Sequence, residues 1–363
     1  MRHPSAHALG FLAAVAGSLV LLTVSGSGQQ PVAGLTKPKP WAQVPRTPDG
    51  KPDLQGTFNA ATLTPIERPD EVKGRLFLTE AEARRISGGE SQRVESRAQN
   101  SDPNRAAPVQ GGNVGGYNNF WIDRGQRVVQ IDGQFRSSLI VDPADGKVPP
   151  QTAAAQKRNS GARGTVAPSS DAAESVVTSA AGAYDNVEFR PLGERCILGF
   201  GSTSGPPTMP NYFYNNLKQI VQTPDAILIQ IEMVHDARIV RMNAKHLPTS
   251  IRKWMGDSIG WWEGDTLVIE TTNFTNKTRF RGSSQDLKVT ERITRTDKDT
   301  LLYQFTIDDP ATWSRPWSGE YTWLATDEPM YEYACHEANY AMHGIMKGER
   351  LLDSERAKKG SRD

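Results

Sequence analysis

The sequence is poor in the side chains that bind metals most often, with two cysteines and six histidines in 363 residues. Two histidines, His3 and His7, lie at the start of the chain, and the other four follow much later: His235, His246, His336 and His343. The residue four positions after His336 is Tyr340, so the His-Glu-x-x-His pattern of helical zinc proteases is missing. The spacing therefore predicts no metal site of that kind.

The chain also lacks an excess of one charge and the motifs of several enzyme classes. It has 42 basic and 41 acidic residues, which does not predict binding to nucleic acid or to a membrane surface. No Gly-Lys-Ser/Thr follows the Gly/Pro-rich residues 199–207, so they are not a phosphate loop. Ser258 is not in a Gly-x-Ser-x-Gly elbow. No motif identifies a redox cofactor, and the cofactor, if any, is unknown.

The apolar run at residues 11–24 is shorter than the roughly 20 residues that a membrane-spanning helix needs. It follows the basic residue Arg2 and precedes the small residues 25–28, a pattern typical of a secretory signal peptide. We expect residues 1–28 to be removed and the protein to be periplasmic or secreted, without a membrane span. An uncleaved membrane anchor is the alternative.

The two cysteines, Cys196 and Cys335, are far apart in the sequence. In an oxidising compartment they are expected to form one disulfide that closes a long loop. The alternative is two buried free thiols.

Short runs rich in β-branched residues, separated by turn signals, dominate residues 117–347. The clearest turn is Glu263-Gly264-Asp265, between two such runs. The pattern predicts a mainly β fold, an antiparallel barrel or sandwich of calycin-like type. We expect a loop-rich N-terminal wrap at residues 29–116, a flexible insertion near residues 149–190 and a charged tail at residues 348–363. Only short helices are predicted, at residues 79–86, where Thr79 and Glu82 have capping-box spacing, at residues 152–158 as a helical turn or two, and at residues 338–347.

The first candidate catalytic cluster surrounds His235. We hypothesise that His235 acts as an acid or base, that Glu232 or Asp236 orients it, and that Arg238 or Asn273 polarises a substrate. If the strand continues through this stretch, His235 shares the core-facing side. If residues 234–237 form a turn, it lies at the mouth of a barrel. The structural alternative is a histidine that binds one backbone carbonyl.

The second candidate cluster contains His336 and Glu337, directly after Cys335. A metal site at these two residues with His343 or His235 is an alternative on ligand type alone. The structural alternative is that both residues fasten the C-terminal segment.

Tryptophans are concentrated in the second half of the chain, where they predict a cavity lining or a cover for one end of a barrel. The candidate ligand-binding residues are Trp261, Trp262, Asn273, Trp313 and Trp317.

Several motifs together resemble a group of uncharacterised exported bacterial proteins of Acidobacteria type. They are Trp-Glu-Gly-Asp-Thr-Leu-Val-Ile-Glu-Thr-Thr-Asn-Phe at 262–274, Arg-Gly-Ser-Ser at 281–284, Glu-Arg at 291–292, Asp-Asp-Pro at 308–310, Arg-Pro-Trp at 315–317 and Tyr-Glu-Tyr-Ala-Cys-His-Glu at 331–337. The resemblance covers most of the chain after the signal peptide. It implies export and a β-rich fold, and it assigns no activity to any residue.

The sequence leaves three classes of function open. The first is a carrier that binds a small apolar or aromatic molecule in a barrel cavity. The second is a lyase, isomerase or hydrolase, either cofactor-independent or metal-dependent, that uses His235. The third is a structural envelope protein. Convergence of His235, His336 and a carboxylate on one cavity would favour the enzyme.

Overall fold

A computed structural model describes residues 34–98, 104, 106, 122–161, 184, 186–199, 205–210, 214–337 and 339–360. The predicted signal peptide at residues 1–28 lies outside the described residues. So do residues 162–183 of the predicted insertion and residues 107–121 of the predicted N-terminal wrap and the start of the β region.

The fold is a closed, mainly antiparallel β-barrel, which confirms the predicted class. Nine described strands surround one core in the order in which they follow in the chain, and the last pairs with the first to close the ring. Their bounds are β1 Gly56–Asn59, β6 Leu217–Gln222, β7 Ala226–Ile231, β8 Ala237–Met242, β9 Asp257–Glu263, β10 Thr266–Thr272, β11 Lys288–Asp297, β12 Thr300–Asp308 and β13 Trp317–Ala325. Closure removes the unpaired edges of the sheet.

Alternation along the strands explains which side chains face the inside. On β7, Ile227, Ile229 and Ile231 are fully buried, and the residues between them are half-buried. Side chains of a strand alternate between its two faces, so these three isoleucines point into the barrel. The predicted turn at Glu263-Gly264-Asp265 joins β9 to β10, with Gly264 at φ +59°. Glycine adopts this left-handed conformation without a steric penalty.

One pair of neighbouring strands is parallel, which the expectation of an antiparallel barrel did not include. β8 and β9 run in the same direction, with Val240 opposite Ser258. The reason is the connection at residues 243–256, which returns the chain to the end of the barrel where β8 began. A two-residue hairpin cannot join parallel strands, so this longer crossover is required.

The N-terminal segment covers the outer face of the barrel at β12 and β13. Thr36 binds the buried carboxylate of Glu320 through its backbone N–H and its hydroxyl, at 2.8 and 2.7 Å. Arg136 pairs with the same carboxylate at 2.5 Å. A further strand, β5 (Ile140–Asp142), pairs with β13, and a small sheet is formed by β2 (Phe77–Leu78), β3 (Gln130–Ile131) and β4 (Gln134–Arg136). The described part of the N-terminal region is therefore bound to the barrel.

Three helices occur in the described residues, and two are longer than predicted. They are α1 (Glu80–Ala98), α2 (Ala153–Gly161) and α3 (Tyr340–Gly360). The predicted capping box of α1 is present, with the Glu82 N–H bound to Thr79 Oγ1 at 3.2 Å and the Thr79 N–H bound to Glu82 Oε2 at 2.8 Å. None of these helices is both long enough and apolar enough to span a membrane.

Residues 348–360 of the predicted charged tail at residues 348–363 are part of α3. Most of residues 349–360 are strong helix formers such as leucine, glutamate, arginine, lysine and alanine. Arg356 also pairs with Glu349 and Asp353, one helical turn or two away. Residues 349–360 are therefore both highly charged and helical.

The predicted disulfide between Cys196 and Cys335 is present, with their Cα atoms 5.8 Å apart. It joins the segment that precedes β6 to the segment that follows β13. Both segments lie beside the β7–β8 turn, because Gly199 and Tyr333 each contact that turn.

Candidate functional site

The first candidate cluster lies in the turn between β7 and β8. Met233–His235 is a 3-10 turn, and Val234 and His235 have φ of +58° and +46°. Of the two placements considered for His235, the turn is therefore correct. The side chain is exposed, and its Nδ1 atom is 3.2 Å from the carbonyl oxygen of Tyr333. His235 thus faces outward and contacts the C-terminal segment.

Glu232 and Asp236 are buried, whereas His235 is exposed. The Glu232 carboxylate accepts the backbone N–H of Tyr331 at 2.9 Å and that of Leu217 at 3.4 Å. The Asp236 carboxylate accepts the N–H of Gly199 at 3.3 Å. These carboxylates fasten the segments around the turn. The described contacts do not assemble the hypothesised arrangement in which they orient His235.

Arg238 faces the interior of the barrel and pairs with Glu291 on β11. The two side chains form two hydrogen bonds, one of them at 2.8 Å, and both are almost fully buried. Burial lowers the pKa of Arg238, but the Glu291 carboxylate outweighs it, so the net pKa is above the ordinary value. Arg238 is therefore charged and neutralised by Glu291.

Tyr303 on β12 extends this network. Its hydroxyl donates to Glu291 Oε1 at 2.6 Å and accepts the N–H of Thr208 at 2.8 Å. Burial, followed by the charge of Glu291, raises the pKa of Tyr303 well above its usual value. Tyr303 therefore remains protonated and donates a hydrogen bond.

Lys218 on β6 is the least expected side chain of the interior. It lies opposite Ile231 of β7 and Phe58 of β1, and it is completely buried. Its Nζ atom has no hydrogen-bond partner among the residues that the structure describes. Burial lowers the pKa of Lys218 to about 7, while the charges of Glu232 and Asp236 act in the opposite direction. We call the cluster of Lys218, Glu232 and Asp236 the Lys218 site.

Residues 205–210 cover the interior and are buried along their whole length. Gly205 lies against Ile231, the cross-strand neighbour of Lys218. Thr208 is fixed at the other side, where Tyr321 donates its hydroxyl to the Thr208 carbonyl at 2.7 Å. Within the described part of the chain, the Thr208 hydroxyl and the Trp323 indole N–H are also buried without partners. Trp323 stacks on Tyr303 with their ring centroids 4.8 Å apart, so the interior is both aromatic and polar.

The second candidate cluster lies at the surface. His336 and Glu337 follow the disulfide and are exposed, and His343 is exposed on α3. Within the ranges that the structure describes, no group of three histidine, cysteine, aspartate or glutamate side chains is positioned to bind a metal ion. Both His336 and Glu337 lie in the C-terminal segment next to the Cys196–Cys335 disulfide.

The candidate ligand-binding residues are divided between the core, the outer surface and a loop. Trp313 and Trp317 are buried and pack edge to face with centroids 5.7 Å apart. Trp261 is half-buried and its indole N–H donates to Glu263 at 3.1 Å, while Trp262 packs against the core. Asn273 donates to the carbonyl of Leu247 at 2.9 Å and so fixes the β8–β9 crossover.

His246 belongs to a polar cluster on the outer face of β9 and β10. Its Nδ1 atom is 3.1 Å from Asp257 and its Nε2 atom is 3.2 Å from Glu270. Asp257 also binds Arg241, Lys253 and the backbone N–H of Leu247. The Asp257 carboxylate therefore binds several groups of the β8–β9 crossover, which supports a structural role for this cluster.

Three residues of the interior, Lys218, Glu291 and Tyr303, are not among the site residues predicted from the sequence, although a signal was present. Lys218 alternates with Ile220 and therefore shares its core-facing side. Glu291 lies between Val289 and Ile293 on β11 in the same way. A charged residue in a core-facing position of a strand is expensive unless it is paired or has a function.

No protein-family model matches the chain, and no curated protein shows significant similarity to it. The interpretation of the Lys218 site therefore rests on its geometry and chemistry.

Proposed function

We propose that this protein is exported and binds a small, mainly apolar or aromatic molecule inside the barrel, where a polar group of the molecule contacts Lys218. The observation that carries the proposal is the Lys218 amine, which is completely buried and has no hydrogen-bond partner among the described residues. The location is part of the proposal and is supported by the disulfide, because such bonds persist mainly in oxidising compartments.

Burial of an amine without a partner opposes folding. Buried polar groups are nearly always hydrogen-bonded, and leaving one unsatisfied costs on the order of 1–3 kcal/mol. A ligand that offers an oxygen acceptor to Lys218 would supply the missing hydrogen bond. Ligand binding would therefore explain why this position is a lysine, although an apolar residue there would destabilise the folded protein less.

The surroundings of the amine indicate the rest of the ligand. Phe58 is the direct cross-strand neighbour of Lys218, and Trp323 and Tyr303 stack within the same interior. Sites for small molecules combine apolar and aromatic walls with a few polar groups that fix orientation. An apolar or aromatic body with one oxygen-containing group fits this description.

The alternative enzyme built on His235 has less support. His235 is exposed and its described partner is a backbone carbonyl, whereas Glu232 and Asp236 bind backbone N–H groups elsewhere. A general base has to lie within hydrogen-bond reach of a substrate proton and is usually oriented by a second group. Among the residues that the structure describes, the printed contact of the His235 ring is with the Tyr333 carbonyl.

Isothermal titration calorimetry tests the proposal, with 2-naphthylmethanol and 1-octanol as aromatic and aliphatic probes. The variants are Lys218→Met and, as a matched control, Lys277→Met, because the Lys277 side chain is 58% exposed. We expect the wild type and the control to bind at least one probe with equal affinity. Loss of one hydrogen bond to a buried amine should weaken binding to Lys218→Met roughly tenfold. Equal affinity for all three proteins, or no binding of either probe, would contradict the proposal.

A further inference from the structure

We propose that Lys218 is a nucleophile that forms an imine with an aldehyde or ketone group of the bound molecule. This inference rests on the proposed function, since the carbonyl compound must first enter the barrel. It assigns a covalent step to a residue that the binding proposal uses only as a hydrogen-bond donor.

The geometry around the amine favours this chemistry. A lysine that is held by a salt bridge or by several hydrogen bonds has its lone pair and its protons committed. Lys218 is completely buried, and its Nζ atom makes no hydrogen bond to any described residue. Buried lysines lose their proton readily and are the ones that proteins use for Schiff bases.

The protonation state supports the same conclusion. With a pKa of about 7, roughly half of the Lys218 side chains are neutral at pH 7. An exposed lysine with an ordinary pKa is neutral in only about one molecule in two thousand or fewer at that pH. Only the neutral amine has a lone pair that attacks a carbonyl carbon, so Lys218 is the more reactive lysine by a large factor.

The step is balanced without an oxidant or a reductant. The Nζ lone pair forms a C–N bond as the carbonyl π electrons move to oxygen, and a proton passes from nitrogen to that oxygen to give a carbinolamine. The carbinolamine oxygen then takes a second proton from solvent and leaves as water while the nitrogen lone pair forms the C=N bond, which gives a protonated imine that can return one proton to solvent. The products are one imine and one water molecule.

Charged groups around Lys218 suit the protonated form of this imine. Glu232 and Asp236, in the β7–β8 turn, are the carboxylates whose charges act on the amine. Deeper in the barrel the Arg238–Glu291 pair neutralises itself, and Tyr303 donates to Glu291. The two turn carboxylates therefore provide the negative charge that stabilises an iminium cation. Residues 205–210 and the aromatic side chains shield the C=N bond from water, which slows its hydrolysis.

Reductive trapping tests the inference, with 2-naphthaldehyde and sodium cyanoborohydride as the probe and reductant. Peptide mass mapping then compares Lys218 with exposed lysines of the same protein, such as Lys39 and Lys277. We expect Lys218 to be labelled roughly tenfold faster or more at pH 7, because its neutral fraction is larger by about a thousandfold and only slow entry opposes this. Lys218→Met should fold and lose this label, while the Lys277→Met control keeps it.

The alcohol 2-naphthylmethanol separates this inference from the proposed function, because it has the same body and no carbonyl group. If the alcohol binds in a Lys218-dependent way and the aldehyde labels Lys218 no faster than Lys277, the imine is overturned and the binding proposal stands. If the alcohol does not bind and Lys218 is not labelled, both are overturned. Selective labelling of Lys218 with binding of the alcohol supports both.

Discussion

Replacement of Lys218 by methionine should change the stability of the protein by an amount that depends strongly on pH. Lys218 is completely buried, and burial lowers its pKa from 10.5 in the unfolded chain to about 7 in the folded protein. Methionine has a similar length and no ionisable group. The difference in unfolding free energy between the two proteins therefore isolates the titration of one amine.

The sign follows from the number of protons that each state binds. Between pH 7 and about pH 10.5 the unfolded chain holds a proton on Lys218 that the folded protein has released. The free energy of unfolding of the wild type must therefore rise with pH in this window, by up to about 1.4 kcal/mol per pH unit. Below pH 7 both states are protonated, and the contribution becomes constant.

The magnitude is large enough to measure. With the two pKa values above, the wild type should gain about 3–4 kcal/mol relative to Lys218→Met between pH 7 and pH 10. At pH 7 the variant should be clearly more stable than the wild type, because folding of the wild type buries an amine that is protonated in the unfolded chain and still about half protonated in the folded protein. At pH 10 most of this advantage should be gone.

Urea denaturation followed by tryptophan fluorescence at half-unit steps from pH 6 to pH 10 measures this difference. Both cysteines of the chain are in the disulfide, so no free thiol is present to exchange at high pH. Lys277→Met is the matched control and should follow the wild type at every pH. If the unfolding free energies of wild type and Lys218→Met change in parallel with pH, Lys218 does not have a lowered pKa in the folded protein, and the reasoning is refuted.

Three further predictions follow from the same structure. Glu291→Gln should destabilise the protein by about 3–5 kcal/mol in urea denaturation, because it leaves the buried guanidinium of Arg238 without its counter-charge, and an effect below about 1 kcal/mol would contradict this. Replacement of Cys196 and Cys335 by serine should lower the unfolding free energy by about 4–5 kcal/mol, since the bond closes a loop with a sequence separation of 139 residues, and wild type in reducing agent should match the variant. His235→Ala should change stability by less than about 1 kcal/mol and leave probe binding in calorimetry unchanged, because the side chain is exposed, whereas loss of binding would restore His235 as a site residue.

The β architecture was accessible from sequence because its signals are local. Alternation on β7 and the Glu263-Gly264-Asp265 turn each involve residues that are close together in the chain. The disulfide was accessible because a chain with only two cysteines offers one intramolecular pairing. The parallel β8–β9 pair depends on the path of a long crossover, for which the sequence pattern contains no comparable signal.

The candidate site was harder to predict because its contacts join distant parts of the chain. Arg238 pairs with Glu291 across 53 residues, and Thr208 binds Tyr303 across 95. His235 attracted attention by its chemical type, yet the left-handed backbone of the turn directs it outward. Lys218 was overlooked because lysine is normally a surface residue, and only its phase relative to Ile220 marks it as internal.

A crystal structure of the protein with 2-naphthylmethanol tests the central claim most directly, because it shows where the molecule binds. We expect the naphthyl ring to lie inside the barrel beside Phe58 and Trp323, with the hydroxyl oxygen roughly 3 Å from Lys218 Nζ. A competing location is a surface cavity of about 430 Å³ lined by residues that include Phe77, Leu78 and Phe135. A ligand found only in that surface cavity, with the Lys218 amine still without a partner, would contradict the account.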